Sequence, residues 1–420
     1  MKSSNPSLKA LPWEELERYA SKEEDRVHGP TNAQSNLRLF GKKEENVRVT
    51  LYRDHHAWCP YCQKIWLWLE WKQIPYRIKK VTMRCYGKKE GWYLKKVPTG
   101  MLPAIEIDQR LITESDLILM ALEKAFGPLG SPFMNRKILD LRHLERLLFQ
   151  AWCQWLCTPS PGLEKEKRYQ ETFRTLANKM ESHLAQHGGK WIDPKQNEQN
   201  LNIPGTADII FIPYLERMNA SLAYYKGLNL REQHPLIDKW LRNLEAHTVY
   251  RGTQGDMHTH AHDLPPQMGG CWIESNPNQQ YFSKTIDSGS GLGEMETSWV
   301  EETSNSQNIA LIRVLKHRKN LITTNPLGPT YFDQPLRAAL TSMILETNVS
   351  PNKGSASALR YLRDRVSVPR DMPLLAARRF RQSLERTASL DGPDGGPSIS
   401  KKDRLDQNPI PFLRGNNLIK

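Results

Sequence analysis

The sequence predicts an α/β domain, then an all-α bundle, then an extra region that is mainly helical or irregular. Three observations carry this. Val47, Val49 and Leu51 alternate with polar residues as a strand does, and a helix and a second strand follow. The sequence CPYC at residues 59–62 stands between that strand and that helix. From Met134 the apolar residues change to spacings of three and four, as in Leu141, Leu144, Leu148, Ala151 and Trp155.

The elements follow in order. Residues 1–46 are polar and read as an extension, with one short helix near Trp13–Tyr19. The first domain spans 47–128. Its first helix runs from the cysteine pair through Glu70, and IPYRIKKVTM is the next strand, opened by a proline that closes the helix. MLPAIEI and RLITE form a hairpin around Asp108-Gln109-Arg110. SDLILMALEKAFG is a helix with polar starters Ser115 and Asp116 and a closing Gly127. The β-α-β start implies a parallel pair with a right-handed crossover. An all-helical domain occupies 131–250, with later helices from about Ala207 and around Leu236, Trp240 and Leu244. Residues 251–390 form the extra region: 251–310 show few periodic segments, and helical patterns return at Gln334–Thr347 and Ala356–Leu384. The last stretch, 391–420, is rich in Gly, Pro and Ser and reads as disordered.

Composition narrows the function. With 38% hydrophobic and 25% charged residues the chain reads as globular. No apolar run approaches the roughly 20 residues that span a bilayer, so no membrane association is expected. The N-terminus has neither the apolar core of a signal peptide nor the acid-poor character of a transit peptide. Six cysteines in 420 residues are too few for a disulfide-stapled secreted scaffold, so a reducing compartment is expected. The net charge is +13, and from Leu311 onward 19 Lys and Arg stand against 9 Asp and Glu. The aromatic interleaving of a nucleic-acid platform is missing there, so solvated arginine-rich helix faces are expected and nucleic acid is not.

Cys59 and Cys62 admit three readings: zinc ligands, a structural disulfide or a redox dithiol. Zinc needs four ligands, and neither Cys153 with Cys157 nor His258, His260 and His262 completes the set at a familiar spacing. The redox reading has positive support. Cys59 stands at or just before a helix N-terminus, where the macrodipole and unpaired N–H groups stabilise a thiolate. Pro60 is tolerated early in the helix. His55, His56 and Lys64 are nearby basic residues expected to favour the thiolate, and Cys62, one turn on, is the natural resolving thiol. Pro103 opens a strand after a loop, a place for a cis peptide that turns the Leu102 backbone toward the cysteines. Glu114 and Ser115 start the next helix, an end suited to an anionic ligand, with Glu114 available to its ammonium.

Strand–CPYC–helix, then LPA, then TES, then a helical bundle resembles the glutathione S-transferase superfamily over roughly residues 47–250, and CPYC is similar to the glutaredoxin active-site sequence. RDHHAWCPYCQKIWLWLE, IPYRIKKVTM, HTHAHDLPPQMGGC and LRDRVSVPRDM resemble the iota class of photosynthetic organisms, which carries an extra C-terminal region. The resemblance implies a thioredoxin-like α/β domain followed by a glutathione-transferase bundle. It also implies glutathione as substrate, with its sulfur beside Cys59 and its cysteinyl part against the Leu102 backbone before Pro103. Glu114 and Ser115 would hold the γ-glutamyl end, and Lys89 the glycine carboxylate, with Lys88, Lys95 and Lys96 as competitors. PGTADI departs from the family pattern, since Gly205 stands where a Ser or Thr cap usually precedes Asp208 by three residues.

The expected function is a glutathione-dependent thiol transferase that removes glutathione from mixed disulfides, with dehydroascorbate as a further substrate. Cys59 is the nucleophile, and Cys62 or a second glutathione resolves. The alternatives are a conjugating transferase toward electrophiles, with Trp152, Trp155 and Tyr214 near its pocket, or a non-catalytic assembly module using the basic C-terminal region. Expected partners are small disulfides, electrophiles and glutathionylated proteins, with a homodimer as the oligomeric expectation. Cytoplasm is the expected location and a plastid the alternative. No metal cofactor is expected. His258, His260 and His262 alternate, and on an extended segment they would face one side, where Asp263 or Cys271 could join them around a metal.

Overall fold

A computed structural model describes residues 9–292 and 300–392. The chain divides into two compact units, one of Asp25–Ser283 and one combining Met1–Glu24 with Lys284–Lys420. Helix α1 (Trp13–Tyr19) forms where expected, but it buries Leu16 in the core of the C-terminal unit rather than standing as an extension.

Residues 25–46 instead join the sheet of the larger unit. Strand β1 (Leu37–Arg38) pairs antiparallel with β3 (Tyr76–Val81), which runs parallel to β2 (Val49–Asp54). A buried ion pair fixes this edge: Arg38 Nε donates to Glu70 Oε1 at 2.9 Å, and Thr31 and Tyr76 donate to the same carboxylate. Glu70 lies on α2 (Pro60–Trp71), so one carboxylate ties the N-terminal segment, the sheet and the helix after the cysteines. A buried charge needs this many partners to be tolerated.

The sheet continues through β4 (Ala104–Ile107) and β5 (Arg110–Thr113), in the order β1-β3-β2-β4-β5. Helix α3 (Gly91–Lys96) fills the charged loop before β4, and α4 (Ser115–Phe126) follows β5. Register brings four loops to one end of the sheet. Asp54 pairs with Val81, Tyr52 with Ala104, and Ala104 with Thr113. The chain therefore leaves β2 toward the cysteines, leaves β3 toward Lys89, enters β4 from Pro103 and leaves β5 at Glu114, all on the same edge.

The helical half comprises α5 (Arg136–Cys157), α6 (Leu163–Gln186), α7 (Pro194–Glu198), α8 (Thr206–Lys226), α9 (Leu230–Gln233), α10 (Pro235–Glu245), α11 (Thr248–Thr253) and α12 (Met257–Met268). Helix α8 is buried along nearly its whole length, its charged Asp208, Glu216, Arg217 and Lys226 included. It packs against α2, α5 and α12 within one hydrophobic core that also takes the apolar side of the sheet. The architecture is a thioredoxin-like α/β domain followed by a glutathione-transferase-type helical bundle.

The missing Ser or Thr before Asp208 has a structural reason. The Gly205 N–H donates to Asp208 Oδ2 at 2.9 Å, so the carboxylate half of the capping arrangement survives. The other half of the space belongs to Asp193, held by the Ser131 hydroxyl at 2.6 Å and by its N–H at 3.0 Å. A Cβ on Gly205 would lie 2.2 Å from Asp193 Oδ2.

The stretch 251–310, read as poor in periodic segments, holds α12, then α13 (Pro277–Asp287), and from Val300 the start of α14 (Val300–Thr324). Pro265 and Pro266 in α12 and the polar composition masked these helices. The C-terminal unit continues with α15 (Gly328–Ile344), α16 (Ala356–Arg363) and α17 (Leu374–Asp391) around its own core, which includes Leu311, Phe332, Leu340, Phe380 and Leu384. Several of its arginines are spent internally: Arg360 and Arg363 pair with Glu385, Arg370 pairs with Asp371, and buried Arg381 donates to the Val366 carbonyl. The tail expected to be disordered lies, beyond Gly392, outside the described residues. Among the described residues no helix is long and apolar enough to cross a membrane.

Candidate active site

Cys59 occupies the N-cap of α2 and Pro60 its first turn, which sets the cysteine at the positive end of the helix, although its side chain makes no cap hydrogen bond. Cys59 and Cys62 are both buried, 7% and 1% exposed, and both are free thiols. Their sulfurs and the Asp54 carboxylate lie within 4.8 Å of one another. Burial, then the bond to Cys59 and the nearby charges of Cys59 and Asp54, push the Cys62 thiol well above its ordinary range.

Asp54 ends β2, just before the loop that carries the cysteines. Its Oδ2 accepts the Trp58 N–H at 2.6 Å, whereas Oδ1 is buried without a hydrogen-bond partner. A buried carboxylate oxygen without a donor is costly, and here it stands beside two thiols.

The basic residues expected near the thiolate have other surroundings. His55 is exposed, and His56 stacks on Tyr86 with ring centroids 4.0 Å apart. Lys64 is fully buried and donates to Asp116 Oδ1 at 3.1 Å. Its position five residues beyond Cys59 on α2 turns it toward α4, away from the helix start. A cation that does reach the cysteine loop is Arg217, from α8. It donates to the Trp58 carbonyl, to Gln63 Oε1 at 3.1 Å and to the Pro213 carbonyl, and its guanidinium lies 4.6 Å from the Trp58 ring centroid. Burial pushes the guanidinium downward, opposed by Glu216 and by the Cys59 sulfur. Glu216 in turn accepts from Gln63 at 3.1 Å and contacts His260 Nε2 at 3.2 Å. Sequence reading missed Arg217 and Glu216, because no local pattern marks a residue whose partner is 159 positions away.

The remaining candidates gather at the same edge of the sheet. The Leu102–Pro103 peptide is cis. Leu102 packs with Tyr52, Tyr93 and Val97, and the Tyr93 hydroxyl donates to the Met101 carbonyl at 2.5 Å. Glu114 is exposed at the N-cap of α4 with φ 67° and ψ 117°, a conformation that a non-glycine residue adopts at a cost. Ser115 is buried as the first residue of the helix. Lys89 donates to the Thr82 carbonyl at 2.9 Å, and burial lowers its ammonium while Cys62, Glu90 and Cys59 pull the other way. Among its competitors, Lys96 is committed to Glu106.

Trp152, Trp155 and Tyr214 are core residues, each at most 1% exposed. The three alternating histidines are helical rather than extended. His258 and His262 share one face of α12 with rings 4.5 Å apart, and His260 turns to Glu216. Cys271 lies beside Cys157 instead of joining them.

Residues 58–125 match the family described as glutathione S-transferase, N-terminal domain. The chain is 24% identical over 200 residues to "Glutathione S-transferase DHAR3, chloroplastic" of Arabidopsis thaliana, covering 47% of this chain and 69% of that one. It is 27% identical over 191 residues to "Probable glutathione S-transferase DHAR1, cytosolic" of Oryza sativa subsp. japonica, covering 45% and 78%. Similarity to the crystal structure of Chlamydomonas reinhardtii dehydroascorbate reductase is 19% in identity over 50% of this chain and 93% of that one, at a TM-score of 0.39. The fold assignment rests on the elements described above. Residues 58–125 thus form a domain that matches the glutathione S-transferase N-terminal family, and with these relatives it supports a glutathione-dependent transferase.

Proposed function

We propose that the protein is a glutathione-dependent thiol transferase of the iota type, which removes glutathione from mixed disulfides with Cys59 as nucleophile. The observation that carries this reading is the dithiol itself: two buried free thiols at a helix N-terminus, with a partnerless carboxylate oxygen of Asp54 beside them. A conjugating transferase needs a hydroxyl that steadies bound glutathione, whereas a cysteine sulfur forms disulfides.

In the proposed cycle the Cys59 thiolate attacks the glutathione sulfur of a mixed disulfide. The Cys59–glutathione bond forms, the substrate sulfur bond breaks, and the substrate leaves as a thiolate that takes a proton. A second glutathione thiolate then releases glutathione disulfide and regenerates Cys59. Alternatively Cys62 attacks Cys59, passing its proton to Asp54 Oδ1 as glutathione departs. With dehydroascorbate, two glutathiones supply two electrons and two protons and leave as the disulfide. Leu102 before Pro103, Glu114, Ser115 and Lys89 are the proposed glutathione contacts, supported by their gathering on the sheet edge that holds Cys59. Lys89 enters this set by giving up its bond to Thr82. The relatives' names include both cytosolic and chloroplastic forms, and cytoplasm remains the location proposed. Glutathionylated proteins as substrates and a homodimer belong to the same proposal. Turnover of a small glutathione mixed disulfide, run beside conjugation of a generic electrophile, tests it.

A further inference from the structure

The larger unit holds a second group of thiols that the proposed cycle does not use. Cys157 is the last residue of α5, and Cys153 stands one turn before it. Cys271 arrives from the segment after α12, where Gly269 and Gly270 take positive φ and turn the chain back. The Trp272 N–H donates to the Leu156 carbonyl at 2.9 Å, and the Glu274 N–H to the Tyr225 carbonyl at 2.8 Å. These bonds lay residues 271–274 across the ends of α5 and α8, and the Cys157 and Cys271 thiols hydrogen-bond to each other. All three cysteines are free and half-buried.

We propose that Cys157 and Cys271 are a second redox dithiol, oxidised by glutathione disulfide to a reversible disulfide that locks the segment after α12 onto the end of α5.

Three features favour this pair over Cys153 with Cys157. Residues one turn apart on a helix hold their Cβ atoms about 5–6 Å apart, beyond the roughly 3.5–4.5 Å of a disulfide. Cys271 lies on an irregular segment that can adjust, and its thiol already touches Cys157. The bond donated by Cys271, opposed by burial and aided by the nearby Lys226 ammonium, holds Cys157 below its ordinary range, whereas the same bond and burial raise Cys271. Lys226 is itself held by Glu166 at 2.6 Å.

Cys157 is therefore the attacking sulfur. Its thiolate cleaves glutathione disulfide, forming a Cys157–glutathione bond and releasing one glutathione thiolate. Cys271 then attacks the Cys157 sulfur and releases the second glutathione, which carries away the Cys271 proton. The dithiol loses two electrons, and glutathione disulfide gains them. No step involves Cys59.

The test uses the full chain carrying Cys59→Ser and Cys62→Ser, so that the proposed active site contributes nothing, incubated with glutathione disulfide and digested without reductant. The expected product is a peptide joining residues 157 and 271, lost on reduction. Adding Cys271→Ser should instead trap one glutathione on Cys157, and adding Cys157→Ser should abolish the cross-link. A cross-link between Cys153 and Cys157, separate adducts on Cys157 and Cys271, or unmodified thiols would each overturn the proposal. None of these outcomes bears on Cys59, so the two proposals fail independently.

Discussion

The guanidinium of Arg217 donates to the backbone carbonyl of Trp58, the residue before Cys59. A helix of the C-terminal bundle thereby holds the cysteine loop of the α/β domain. Because the guanidinium also serves Gln63 and Pro213, one side chain satisfies acceptors from both domains.

Arg217→Met should cost about 3 kcal/mol, since it strands buried acceptors and leaves Glu216 without its neighbouring cation. Urea denaturation measures this. Arg217→Lys retains a charge but loses the fork that reaches three acceptors. It should lose less stability and still slow disulfide turnover, because the loop ahead of Cys59 is no longer fixed.

Asp54 and Cys62 make a prediction about pH. With Asp54 as proton acceptor, release of glutathione from the Cys59 adduct by Cys62 should depend less on pH than in a variant that lacks the carboxylate. In Asp54→Asn the high-lying Cys62 thiol must ionise into solvent, so release should be slower and rise about tenfold per pH unit. Stopped-flow measurement on pre-glutathionylated protein reads both. A slowed profile with unchanged pH dependence in the variant would leave Asp54 a structural role only.

Gly205 and Asp193 compete for one volume. Gly205→Ser should destabilise by about 1–3 kcal/mol, because its Cβ meets a carboxylate pinned by Ser131. Combining it with Asp193→Ala should cost less than the two single changes together, and a thermal double-mutant cycle reports the difference.

Asp208 links stability to pH. Burial pushes its carboxyl up to about 7 from the ordinary 3.8, despite bonds from Gly205, Ile192 and Trp240. Between those values the folded chain keeps a proton that the unfolded chain has lost, so this contribution is fully present below about pH 3.8 and fades as pH rises toward 7. The stability of the native protein relative to Asp208→Asn should therefore shrink from pH 5 to pH 7.5, as followed by chemical denaturation.

Much of this fold was legible because its signals are local. Alternation marked β2, the proline of IPYRIKKV marked the break before β3, and the Gly127 stop marked the end of α4. The pairing of CPYC with a helix start was legible for the same reason. What sequence could not show was which distant side chains meet. Lys64 looked like a partner for Cys59 by proximity in the chain, yet helical geometry sends it to Asp116, while Arg217 reaches the cysteine loop from α8. The histidines of MHTHAHD looked like one extended face, but helical twist divides them. The second thiol pair was hidden too, because long-range backbone bonds, Trp272 to Leu156 and Glu274 to Tyr225, bring Cys271 beside Cys157.

The central claim is that Cys59 is the sulfur through which glutathione is exchanged. The most direct measurement is glutathione-dependent reduction of a small mixed disulfide by the native protein, Cys59→Ser and Cys62→Ser, with conjugation of a generic electrophile measured in parallel. The account predicts turnover in the native protein, a loss of at least about 100-fold in Cys59→Ser, and retained turnover in Cys62→Ser through a second glutathione. Absence of disulfide reduction in a native protein that still binds glutathione, or undiminished reduction in Cys59→Ser, would contradict it.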